Sequence, residues 1–94
     1  MNLEKYDYCV IFAGRADTVR RWAVAAPSAH IETDIGRLVA TIGAMADRGR
    51  AVRAAGGRRE TAALVIERGI TVNVAYIRDR LGQYDIDVVV APAP

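Results

Sequence analysis

The sequence is short of the residues that catalysis and covalent bracing draw on, with one cysteine, one histidine and a single serine in 94 residues. A lone thiol, Cys9, excludes an internal disulfide, so the chain must hold together through one apolar core. Cys9 lies in an apolar run and reads as an inert core thiol. His30 and Asp34 fall one helical turn apart, yet a closed metal site wants three or four ligands and no others cluster by spacing, so no metal is expected. Nucleophilic catalysis needs a nucleophile, a base and a group that orients the base. Ser28 and His30 stand at what reads as a helix start, where capping accounts for both, and no enzymatic activity is expected.

Long apolar runs are missing too. The longest, Leu38 to Ala46, is far below the roughly 20 residues of a membrane span, so no membrane association is expected. The N-terminus lacks the basic and apolar regions of a secretory signal, which together with the single cysteine suggests a cytoplasmic setting. Lysine is nearly absent: twelve of the thirteen basic residues are arginine, and the net charge is only +2. A GC-rich genome is one source of that bias. The guanidinium fork that recognises phosphate and carboxylate is the other.

What is present is the pattern of an ordinary globular domain, 52% hydrophobic and 26% charged. Ile31, Ile35, Leu38, Ile42, Met45, Gly49 and Val52 recur at steps of three and four, one apolar stripe on a helix running from about 29 to 55. Ser28 is its candidate cap and Gly56-Gly57 its stop. On nearly the opposite side Gly36, Ala40 and Gly43 form a line of small residues that invites close approach.

Tyr6–Ala13 has strand composition, and its run Val10-Ile11-Phe12 suits a strand covered on both faces. A helix over 17–26, capped by Asp17 and stopped by Pro27, places Val19, Trp22, Ala23 and Ala26 on one side and Arg20 and Arg21 on the other. Residues 58–68 read as a short helix with Ala62, Val65 and Ile66 inward and Gly69 as its stop. In 70–77, Ile70, Val72, Val74 and Tyr76 alternate with smaller or polar residues, which favours a strand. The competing reading has Asn73 capping a helix that carries Val74, Ile77 and Leu81. Tyr84–Ala91 is the last strand and echoes the first. The expected fold is therefore a single α/β domain: a small mixed three-stranded sheet (6–13, 70–77, 84–91) under one long helix (29–55) and two shorter ones (17–26, 58–68). A seam at this spacing also suits pairing with a second copy, a homodimer.

Two features could carry chemistry besides the histidine. Asp85 and Asp87 alternate on the last strand with Asp7 in the matching place on the first, and such carboxylates more often mark a solvated rim than acid-base machinery. The turn Gly14-Arg15-Ala16-Asp17-Thr18 sits where backbone amides commonly hold phosphate, but it fits neither the Walker pattern nor the dinucleotide fingerprint, so no cofactor is expected.

The clearest functional signal is Arg48, Arg50, Arg53, Arg58 and Arg59, five arginines within twelve residues that contain no acid, with Arg20 and Arg21 as further candidates. They could meet an acidic protein face or several phosphates. Cations at a helix C-terminus are also favoured by its dipole, without any partner. The leading expectation is a non-catalytic protein-protein interaction module, an inhibitor or adaptor of the kind phages direct against host defences, whose partner is a protein or nucleoprotein with an acidic surface. Next comes a nucleic-acid binder reading DNA with a helix-turn-helix over 58–82, although Val65 and Arg78 occupy positions that the motif would fill with a small and a buried residue. A small enzyme acting on a phosphorylated substrate is the remote alternative.

Overall fold

The computed structural model describes residues 2–91. Within them the chain alternates strand and helix: β1 (Tyr8–Phe12), α1 (Ala16–Ala25), β2 (His30–Glu32), α2 (Ile35–Ala54), β3 (Glu60–Glu67), α3 (Val74–Arg80) and β4 (Tyr84–Ala91), after a 3-10 turn at Leu3–Lys5. The four strands form one parallel sheet in the order β2-β1-β3-β4. The α/β expectation holds, but the sheet has four strands rather than three and is wholly parallel. The first and last strands, alike in sequence, run parallel but do not pair: β3 lies between them and β4 is an edge. Among the described residues no helix is long and apolar enough to cross a membrane.

Segment 58–68, read as a helix, is the central strand β3. Ala62 to Ile66 are all at most 3% exposed, because both faces of this strand are covered. A strand buried on both sides loses its alternation, and a continuous apolar run then also satisfies a helical template. Segment 70–77, read as a strand, is a connection followed by α3. The Asn73 side chain accepts from the Tyr76 amide at 3.0 Å, and Ile77 and Leu81 sink into the core. The long helix begins at Ile35 rather than 29, since His30–Glu32 is claimed by the sheet and Asp34, not Ser28, caps it by accepting from the Arg37 amide at 3.1 Å.

Two cores, rather than the single one expected, flank the sheet. On one face Val10, Phe12, Leu64 and Ile66 pack against Leu38, Ile42 and Ala46 of α2 and Ile77 and Leu81 of this side's other layer. On the other, Ile11, Ala13, Val65 and Ala91 receive Trp22 from α1. The stripe of α2 is confirmed at its centre, where Leu38 and Ile42 are 1% and 2% exposed. Ile31 belongs instead to β2, and Ile35 lies exposed. The small-residue line is corrected as well: Gly36 and Ala40 face solvent, and a side chain at Gly43 would meet only Arg80 at an ordinary 3.6 Å. The glycine that permits close approach is Gly49, where a Cβ would lie 2.9 Å from the Tyr84 ring.

Candidate functional site

Ligands of open parallel sheets usually sit outside the carboxyl ends of the strands, where the order of connections reverses. That point lies between β1 and β3, because β1 connects through α1 to one side and β3 continues through α3 to the other. The Gly14 turn stands there, and its amide is already taken. Gly14 donates to Glu67 Oε2 at 2.8 Å and Arg15 Nε reaches Oε1 at 3.2 Å. Glu67 is 5% exposed, and its carboxyl is held below the usual range by the neighbouring Thr18 hydroxyl, the Gly14 amide and Arg15. Thr18 is itself buried and outside strict hydrogen-bond geometry to any described partner. Asp17, the expected cap, lies instead in the first turn of α1 and pairs with Arg21 at 3.8 Å. The position where phosphate would bind is thus filled by the chain's own carboxylate.

The arginines gather at the opposite end, where the strands begin and α2 stops. Arg58 forms a two-pronged pair with Asp7, at 2.6 and 3.0 Å, and Thr61 adds its amide at 2.8 Å; together these hold the Asp7 carboxyl well below the usual range. Arg59 reaches Asp85 at 2.7 Å and the Tyr84 carbonyl at 2.9 Å. Arg53, in the last turn of α2, donates to the carbonyl of Gly57 beyond the helix end at 3.1 Å. Arg50 pairs with Asp47 one turn earlier. Arg48 lies over the Tyr8 ring, 5.3 Å from its centroid, and bonds the phenol oxygen. Tyr8 in turn packs edge-to-face on Tyr84, whose hydroxyl donates to the Met45 carbonyl at 2.7 Å.

These five residues are therefore brought together, each against an acceptor of the same chain, while three of the side chains remain roughly half exposed or more: Arg50 at 54%, Arg58 at 68% and Arg59 at 48%. Arg20 and Arg21 are not part of this cluster. They lie on the outer side of α1, across the sheet from α2, beside the exposed Val24. The three carboxylates Asp7, Asp85 and Asp87 do not face one another as a pair, since Asp87 accepts from the Tyr6 hydroxyl and the other two serve arginines.

Sequence reasoning passed over Glu32. This residue is 9% exposed and accepts from Thr41 at 3.0 Å while contacting the His30 imidazole; His30 first, then Thr41, holds its carboxyl low. The alternation His30-x-Glu32 was the available signal, masked by the helical stripe that absorbed Ile31. Asp34, weighed with His30 on spacing alone, is occupied as the cap of α2. Among the described residues no three His, Cys, Asp or Glu side chains come together as a metal site would require. Compared with known proteins, the chain matches no family model, no curated protein and no solved structure.

Proposed function

We propose that the protein is a non-catalytic protein-protein interaction module, an adaptor or inhibitor, that meets its partner with the arginine-bearing end formed by the α2 C-terminus and the starts of β1, β3 and β4. The observation that carries this reading is that Arg50, Arg58 and Arg59 are each anchored by an aspartate and still roughly half exposed or more. An anchored guanidinium has already lost part of its side-chain freedom, so engaging a partner costs less ordering entropy than recruiting a loose side chain. Interleaving with Asp7, Asp47 and Asp85 favours a protein face of mixed, mainly acidic character over a phosphate backbone, whose affinity grows with uncompensated positive charge. The helix-turn-helix basis for DNA reading has lost its first helix, because 60–67 is a buried strand.

Affinity capture with three proteins tests the proposal: the wild type, R50E/R53E, and R20E/R21E as a control on the far side of the sheet. A protein retained by the wild type and the control but lost from R50E/R53E is expected, with circular dichroism unchanged in all three. Retention by R50E/R53E would overturn the placement. Binding to duplex DNA that collapses between low and physiological salt would overturn the choice of partner.

A further inference from the structure

β1 pairs with β3 from Tyr8 onward, but β2 pairs only with Val10–Phe12. Tyr8 and Cys9 thus have no strand on the β2 side, and α2 roofs the gap. The result is a cavity of about 370 Å³, near the lower end of the roughly 300–1,000 Å³ that ligand pockets span. Its middle is apolar, formed by Val10, Ala44 and Met45, while Ser28, His30 and Thr41 line one end and Arg48, with Tyr8 and Asp7, the other. Thr41 and Arg48 are two turns apart on α2, which separates the polar ends by roughly 10 Å.

The charges along this cleft are unequally answered. Glu32 is met by His30 and Thr41, and Asp7 by Arg58 and Thr61. Arg48 spends its Nε on the Tyr8 phenol oxygen, and although the Glu60 carboxylate lies near enough to favour its charge, among the described residues its two terminal nitrogens have no hydrogen-bond partner. We infer that the cleft binds a small organic anion about 10 Å long, its carboxylate on Arg48, its flat apolar body over Val10 and Met45, and a hydroxyl at the far end against His30 and Ser28. The imidazole suits that far end because Glu32, buried behind it, fixes the ring. This site is independent of the protein-partner reading, which rests on Arg50, Arg58 and Arg59.

Titration of the 15N-labelled protein with 4-hydroxycinnamate, followed by amide shifts, tests the inference. Saturable shifts confined to Tyr8–Val10, Ser28–His30 and Thr41–Arg48 are expected. 4-Hydroxycinnamyl alcohol, which lacks only the carboxylate, should bind at least about tenfold more weakly, and so should the acid to Arg48→Met. Ala44→Trp changes an exposed helix position that lines the cleft, so it should keep the fold and abolish binding. R50E/R53E should bind as the wild type does. Shifts that do not saturate or fall elsewhere, equal affinity for acid and alcohol, or undiminished binding to Ala44→Trp would each overturn the inference.

Discussion

At the carboxyl ends of β1 and β3 one carboxylate, Glu67, is 5% exposed and takes a backbone amide and the guanidinium of Arg15, whereas at the opposite end of the sheet the carboxylates of Asp7, Asp47 and Asp85, which also meet arginines, are 25%, 73% and 66% exposed. The same pairing of acid and arginine has different consequences in the two places. Around Glu67 water is excluded, so losing the carboxylate would strand a buried donor, which costs more than the bond itself contributes. At the arginine end water can replace either partner, and exposed ion pairs contribute little to stability. The buried carboxylate closes the usual ligand position of a parallel sheet and serves the fold, although its Arg15 partner is 73% exposed. The exposed pairs leave donors facing outward, and binding function is more readily placed there.

The contrast can be broken or sharpened by substitution. Ile42 is 2% exposed where α2 meets the sheet, and α2 ties the two ends together. Ile42→Asp should cost about 4 kcal/mol, most of a small domain's stability, and abolish the cooperative urea transition. Glu67→Gln should cost about 2 kcal/mol by the same measurement, through the weakened acceptor for Gly14 and Arg15. Its pH profile should differ too. Asp7, Glu32 and Glu67 all have carboxyls held below their ordinary values, so the stability they confer is fully present above about pH 4.5 and is lost as pH falls through their folded values. Urea midpoints of the wild type should therefore drop between pH 5 and pH 3, and those of Glu67→Gln should drop less steeply.

Two glycines of α2 give smaller, opposite effects. Gly49→Ala should destabilise by about 1 kcal/mol, because the methyl meets the Tyr84 ring at 2.9 Å and overpacking outweighs the gain in helix propensity. Gly43→Ala has ordinary space around it and should raise the thermal midpoint, by about 0.5–1 kcal/mol of added stability. Smallest of all should be Arg50→Glu: it breaks an exposed pair with Asp47, and the midpoint should move less than in either glycine variant. A large loss there would mean that the arginine end is structural after all.

Legibility in the sequence followed the number of constraints each segment satisfied locally. Helix α2 was readable because twenty residues repeat one periodicity and end at Gly56, which adopts φ +81°. Strand β4 was readable from its β-branched run. β3 was not, since burial on both faces erased the alternation that marks a strand, and Ala62, Val65 and Ile66 fit a helix face equally well. β2 has three residues, too few for any period, and exists because the edge of β1 accepts it. In 70–77 a short alternation competed with the Asn73 cap, and the cap prevailed because it delivers Ile77 and Leu81 to the core.

The site divides the same way. That Arg48, Arg50, Arg53, Arg58 and Arg59 would share one end of the molecule was legible from their crowding around the end of α2. That Arg20 and Arg21 would lie across the sheet was not, because only the placement of α1 on the opposite face decides it. Nor could the sequence say which acid each arginine meets, since Asp7 and Arg58 are 51 residues apart and come together only when β1 and β3 align. By itself the sequence determined an α/β domain with a long amphipathic helix ending in arginines, because periodicity and composition act over neighbouring residues. The tertiary structure alone decided the order of the strands, the closure of the Gly14 turn by Glu67 and the cleft left where β2 stops short of β1, because each depends on contacts between segments distant in the chain.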